Sequence, residues 1–160
     1  MLTLSELTAR WAGPGRVDWI GLRPAKRAPV QSPAEAQVTL AGLDGDRARA
    51  GKRTVTLIQA EHLQVIAALS GHAAIAPEVL RRNIVVSGIN LNTLKGRDVR
   101  VGGAVLRWTT ICAPCSRMEA ALGHGGYNAM RGHGGWCAEV VQTGVIRIGD
   151  PVDIAGELTA

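Results

Sequence analysis

The sequence predicts a mainly β protein: a compact antiparallel β-barrel with a few short peripheral helices. Three observations predict it. Short runs rich in Val, Ile, Thr and Leu recur at close spacing, turns containing Gly and Pro separate them, and few stretches carry a helical period. A chain of 160 residues, 46% of them hydrophobic, has enough apolar surface for one core and one domain. It contains no internal repeat or low-complexity segment.

Residues 1–16, with Pro14 between Gly13 and Gly15, read as a loose lead-in, and residues 17–160 as the barrel domain. Residues 17–22 are apolar enough for a first strand, which runs into the basic Arg23-Pro24-Ala25-Lys26-Arg27. Pro29 and Pro33 keep the next stretch extended, residues 37–40 return as a strand, and residues 42–47 make a turn rich in Gly and Asp. Arg47, Arg49, Lys52 and Arg53 follow. Residues 54–59 (Thr-Val-Thr-Leu-Ile-Gln) are β-branched and predict a strand, after which Leu63, Ile66 and Leu69 share one side of a helix that Ser70-Gly71 stops. Pro77 opens a helical turn that lasts to Leu80.

Residues 84–87 form a short buried strand, 90–96 a loop, and 99–101 with 104–109 two strands around Gly102-Gly103. Residues 136–142, 145–148 and 152–154 supply the closing strands. Between the last two groups lies the stretch that carries the chemistry, residues 110–137, with all three cysteines: Cys112, Cys115 and Cys137. Ser116 and Glu119 have the spacing of a capping box, so a short helix is expected from just after Cys115 to near Gly123. Cys115 then sits at a helix mouth, where free amides and the helix dipole favour a thiolate. The glycine-rich run that follows, holding His124 and His133, reads as a flexible loop able to approach or close over a ligand, with the imidazoles as proton donors.

Eighteen basic residues against 13 acidic ones give a net charge of +5, which suits an anionic partner. Nucleic acid is disfavoured, because the chain has no Phe, one Tyr and four scattered Trp to stack on bases. Arginines in small groups near Gly and Asn fit a phosphorylated small molecule better. No apolar run is long enough for a bilayer span or a secretion signal, so a cytoplasmic protein without a membrane partner is expected. Three cysteines in a reducing compartment are not a disulfide framework.

Three chemistries are open to the cysteines. Cys112, Cys115, His133 and Cys137 could make a structural zinc site, although a core of this size hardly needs one. Cys112 could resolve a disulfide formed by Cys115, but Cys-x-x-Cys redox motifs follow a strand in a parallel α/β pattern that this chain lacks. Alternatively, one thiolate binds a soft, redox-active metal whose organic ligand carries a phosphate, which accounts for the cysteine and the basic residues together.

In order along the chain, Pro24-Ala25-Lys26, Gly45-Asp46-Arg47, Arg81-Arg82-Asn83-Ile84-Val85-Val86-Ser87-Gly88, Leu94-Lys95-Gly96, Cys112-Ala113-Pro114-Cys115 and Ile148-Gly149-Asp150-Pro151-Val152 resemble the MOSC domain, named for the C-terminal part of molybdenum cofactor sulfurases. The resemblance implies an antiparallel β-barrel that binds a molybdenum-pterin cofactor. Members that reduce N-hydroxylated compounds, such as the mitochondrial amidoxime-reducing component, ligate molybdenum through one cysteine of a similar motif, which corresponds to Cys115 here. The same resemblance implies Lys26, Arg47, Arg81 and Asn83 on the pterin phosphate side, and Arg53 and Cys112 complete the expected cofactor-binding set. No pyridoxal phosphate domain is expected in this chain, which is nearest to small, stand-alone bacterial members. The expected activity is reduction of an N-hydroxylated substrate with an external electron donor protein, using Cys115, His133 and His124. The alternative is a carrier of the cofactor, or of sulfur as a Cys115 persulfide, without turnover.

Overall fold

The computed structural model describes residues 1–156. In chain order, α1 (Leu4–Thr8) precedes β1 (Gly15–Ile20), β2 (Glu35–Thr39) and the two-residue β3 (Gly42–Leu43). Next come β4 (Val55–Gln59), α2 (Ala60–Ser70), α3 (Pro77–Leu80) and β5 (Ile84–Ser87). A single 3-10 turn at Leu91–Leu94 leads into the hairpin of β6 (Asp98–Val101) and β7 (Ala104–Ile111). The stretch with the cysteines and glycines forms α4 (Ser116–Leu122) and α5 (Gly126–Met130), and β8 (Trp136–Gln142), β9 (Gly144–Arg147) and β10 (Pro151–Ile154) follow.

Seven strands close into a barrel in the order β1-β10-β6-β7-β8-β4-β5, with β5 pairing back onto β1. Every barrel pairing is antiparallel except β4 with β5. Parallel neighbours need a crossover, and α2 and α3 provide it over the outside of the barrel. A second sheet, β3-β2-β9, stands beside the barrel. Val17, Ile20, Leu57, Val86, Leu106 and Trp108 belong to the interior core.

All five residues of β4 are buried, because both its faces are covered. One face meets the barrel interior. The other meets a second apolar cluster in which Ile58 and Val85 pack with Ile66, Leu80, Met118, Leu122 and Met130. That cluster fastens α2, α3, α4 and α5 to the barrel wall, so the segment that carries Cys115 is anchored by its own apolar side.

Two expectations fail here. Residues 1–16 are not a loose lead-in: α1 is closed by a reciprocal capping box, with the Thr3 hydroxyl accepting from the Glu6 N–H and the Glu6 carboxylate accepting from the Thr3 N–H at 2.7 Å. β1 also begins inside that segment, at Gly15. The glycine run is not a plain loop either, since α5 folds within it and buries Ala129 and Met130. Of the expected 17–160 domain, residues 157–160 lie outside the described residues.

Asn83, fully buried at the start of β5, joins three parts of the wall. Its Oδ1 accepts from the Thr56 N–H at 3.0 Å, from the Thr56 hydroxyl at 3.2 Å and from the Arg23 guanidinium at 3.3 Å, while its Nδ2 donates to the Gly21 carbonyl at 3.0 Å. Removing one partner from such a network leaves buried donors and an acceptor unpaired. Asn83→Ala is expected to lower stability by about 3 kcal/mol in urea denaturation, as the sum of two or more such penalties.

Candidate functional site

Cys115 is the N-cap of α4: its backbone is extended, its carbonyl accepts from the Met118 N–H at 2.9 Å, and its thiol is exposed and makes no capping bond. The capping box expected from Ser116 and Glu119 does not form. Instead, Glu119 reaches to the other end of its helix and accepts from the N–H groups of Tyr127 at 3.0 Å and Gly125 at 2.8 Å. Those two amides hold its carboxyl below the usual range. The seven residues of α4 span about 10 Å, so His124 lies at the far end of the helix from Cys115 and is not brought to it.

On the near side, α3 packs against α4, and Arg81 closes α3 in the left-handed conformation at φ 56°. Its Nη1 donates to the Ala28 carbonyl at 2.7 Å and its Nη2 to that of Ala25 at 3.4 Å, which ties down the loop carrying Lys26. Burial, followed by the guanidiniums of Arg117, Arg23 and Arg47, lowers the Arg81 pKa. Four arginines from four segments therefore share one region, and Asp46 is the carboxylate set among them.

Asp46 is already engaged. Its carboxylate, with no exposed side-chain surface, takes the Arg23 Nη2–H at 2.9 Å, the Nε–H at 3.1 Å and the Arg23 N–H at 2.7 Å. Burial alone would push its carboxyl up, but the Arg23 guanidinium and amide, with the Ala48 amide, outweigh burial and hold it below the usual range. Lys26 and Arg47 are exposed in the same region, free to meet a ligand. Asn83 is not: its amide is spent on Thr56, Arg23 and Gly21, so the expected phosphate contact from Asn83 is replaced by a structural role.

A pocket opens beside Cys112, with Ile111, Cys112, Pro114, Met130, Trp136 and His62 in its wall. Behind Cys112 lies Arg82, buried, whose guanidinium donates to the carbonyls of Gly134 and Leu80 at 2.9 Å each and of Cys112 at 3.5 Å. His133 meets His62 edge to face, with ring centroids 5.2 Å apart, and His133 Nδ1 lies 3.2 Å from the Ala129 carbonyl. Burial, then the neighbouring His133, lowers the His62 pKa, so His62 is neutral at pH 7. Arg53 is exposed, and its charge reaches Cys112 and Cys137.

Sequence reasoning gave no separate role to Arg117, Arg82 and His62. Arg82 and Arg117 adjoin predicted residues in the chain, but nothing in the sequence separates His62 from an ordinary helix residue. Among the described residues no group of three or more His, Cys, Asp or Glu side chains is placed to hold a metal, so the four-ligand zinc arrangement is not assembled.

The MOSC domain matches residues 43–153 of this sequence, well over half of the chain. The chain belongs to the MOSC domain family. That family is associated with binding of the molybdenum cofactor. Among solved structures, this MOSC domain is similar to the YuaD protein of Bacillus subtilis at 19% identity, with a TM-score of 0.76 and coverage of 89% of this chain and 97% of that one. YiiM of Geobacillus stearothermophilus is similar at 17% identity and a TM-score of 0.74, covering 89% of this chain and 75% of that one. YiiM of Escherichia coli is similar at 18% identity and a TM-score of 0.68, covering 91% and 72%. At these identities the likeness speaks for the fold. No curated protein matches the sequence. The matched span of the MOSC domain contains Arg47, Arg53, Arg81, Cys112 and Cys115, whereas Lys26 lies before it. No described helix is long and apolar enough to cross a membrane.

The Arg23–Asp46 pair sets a pH dependence. Because the folded Asp46 carboxyl is depressed, its stabilisation is present at neutral pH and is lost as pH falls through the folded value, below the ordinary 3.8. Asp46→Asn is expected to cost about 3 kcal/mol at pH 7, since it leaves the Arg23 charge without its partner. The same comparison by urea denaturation should show that difference shrinking progressively as pH is lowered below 3.8.

Proposed function

We propose that this MOSC domain holds the molybdenum cofactor, with the Cys115 thiolate as the metal ligand and Lys26, Arg47 and Arg81 on the pterin phosphate, and that it reduces N-hydroxylated compounds. The observation that carries the reading is the exposed Cys115 at the N-cap of α4, the helix whose Arg117 joins the guanidiniums of Arg23, Arg47 and Arg81, with the Asp46 carboxylate among them already paired to Arg23. Cations gathered in this way repel one another, and a bound phosphate offsets that cost with charge-assisted, often bidentate hydrogen bonds. A thiolate is a soft donor suited to such a metal. The donor set and its charge therefore fit the group.

Bound there, molybdenum would supply two-electron oxygen-atom transfer, which takes an N-hydroxylated compound to the parent amine and water, with the reducing equivalents coming from an external electron donor protein. The chain's own residues do the rest. Arg81 both faces the anion and holds the Ala25 and Ala28 carbonyls, so the loop with Lys26 is set before binding. Ile111, Met130 and Trp136 give the neighbouring pocket an apolar wall that limits water. His133 and the neutral His62 form the proton relay on its edge, a role that His124 is too distant to share.

A second reading rests on the exposure of the same thiol: Cys115 accepts sulfur as a persulfide and hands it on, or the domain carries the cofactor without turnover. The two readings separate by experiment. In protein produced in cells that make the cofactor, Cys115→Ser should abolish molybdenum retention while the circular dichroism spectrum is unchanged; unaltered metal content would remove the reductase reading. Arg81→Ala should weaken cofactor binding by about 1.5 to 3 kcal/mol, the range of a hydrogen bond to a charged group. Turnover of hydroxylamine with a reduced donor marks the reductase, and a mass gain of one sulfur atom on Cys115 marks the carrier.

A further inference from the structure

We propose that Cys112 and Cys137 form a peroxide-reactive dithiol, in which Cys112 attacks a small hydroperoxide and Cys137 resolves the product as a disulfide. This pair is distinct from the Cys112–Cys115 motif visible in the sequence, and it does not depend on bound cofactor.

Strand register brings the two together. Thr110 pairs with Cys137 and Ile111 with Trp136 across β7 and β8, and the ladder continues one step further, where the Cys112 N–H donates to the Gly135 carbonyl at 2.8 Å. Cys112 and Cys137 are thus diagonal neighbours on one face of the ladder. On that face Cys137 is the donor and Cys112 the acceptor. Cys115, by contrast, has turned away into the start of α4.

The two sulfurs differ in access. Cys112 lines the pocket and is half-buried, whereas Cys137 is only 4% exposed, so a dissolved oxidant meets Cys112 first. They also differ in charge. Among the described residues Arg82, 7% exposed, makes hydrogen bonds only to carbonyls and has no carboxylate partner, so its buried charge is best met by an anionic sulfur at Cys112. The hydrogen bond from Cys137 is the largest influence on Cys112; burial opposes it, Arg82, Arg23 and Arg53 add to it, and the Cys112 pKa falls to about 6. The same hydrogen bond and burial push the Cys137 thiol up, which keeps it protonated as a resolving thiol.

The chemistry balances with hydrogen peroxide as the oxidant. The Cys112 thiolate attacks one peroxide oxygen, the O–O bond breaks, and hydroxide leaves to be protonated to water. The Cys137 sulfur then attacks the sulfur of the Cys112 sulfenic acid. An S–S bond forms, the S–O bond breaks, and the departing hydroxide takes the Cys137 proton to leave as water. Two thiols lose two electrons in total, and one peroxide becomes two waters.

The test is treatment of the full chain with hydrogen peroxide, followed by alkylation and peptide mapping without reductant. The expected product has lost two hydrogens, contains one Cys112–Cys137 linked peptide, and still alkylates at Cys115. In Cys137→Ser, the Cys112 sulfenic acid should persist and be trapped by dimedone. For the first step, the rate should be half-maximal near pH 6. If Cys137→Ser fails to fold, the wild-type map decides alone. A Cys112–Cys115 link, oxidation confined to Cys115, or no change in the map would overturn the proposal.

Discussion

Three consecutive side chains at the start of β5 hold the site to the barrel. Arg81 turns toward the loop of Lys26, Arg82 toward the carbonyls of Cys112 and Gly134, and Asn83 into the wall between β1 and β4. Such divergence within three residues requires an abrupt change of backbone direction. It is made at Arg81, in a left-handed conformation uncommon for a residue with a side chain. The carbonyls of Ala25 and Ala28 on one side, and the Asn83 network on the other, over-determine that turn and keep it. If the turn relaxed, the arginine cluster, the thiol pocket and the barrel seam would loosen together.

Charge explains why so much hydrogen bonding is concentrated here. Arg23, Arg47, Arg81 and Arg117 repel one another, and Arg82 adds a buried cation nearby. Among the described residues Asp46 is the carboxylate that answers within the cluster, and it is consumed by Arg23. The protein therefore restrains its cations through neutral acceptors: Arg81 and Arg82 both donate to main-chain carbonyls rather than to carboxylates. A carbonyl orients a guanidinium without cancelling its charge, so the site stays electropositive. Restraint by carboxylates would have given a more stable surface with nothing left for an anion.

The barrel was legible because its strands carry the signals that burial on one face imposes: β-branched runs in β4, β5 and β7, and turns marked by Gly and Pro. The parallel pairing of β4 with β5 was less so, since it depends on where α2 and α3 lie, not on either strand's composition. Ser116-x-x-Glu119 and Thr3-x-x-Glu6 are the same pattern in the sequence, yet only the second closes a capping box. Glu119 has a better use, since Gly125 and Tyr127 present two free amides at the next helix start. Arg81, Arg47 and Lys26 were singled out from the order of motifs along the chain, not from any local pattern around them. The Cys112–Cys137 contact was invisible, because it rests on the register of β7 against β8, which no local pattern specifies. Asn83 was legible as important but not in its role, because polarity alone does not say whether an amide faces a ligand or the core.

The glycine-rich stretch shows best why composition misleads at this site. Glycines suggest freedom, and a mobile loop over the cofactor is the natural expectation. Two of them do the opposite. A side chain on Gly134 would meet the Cys112 carbonyl and the Arg82 guanidinium, and one on Gly135, which is left-handed at φ 89°, would run into the Leu57 carbonyl of β4. These glycines are there so that the chain can lie directly on the barrel wall. That close approach lets the Gly134 carbonyl take the Arg82 Nε–H and the Gly135 carbonyl take the Cys112 N–H. The segment between α5 and β8 is therefore a rigid floor beneath the thiol pocket, held by main-chain atoms that bulkier residues would keep apart.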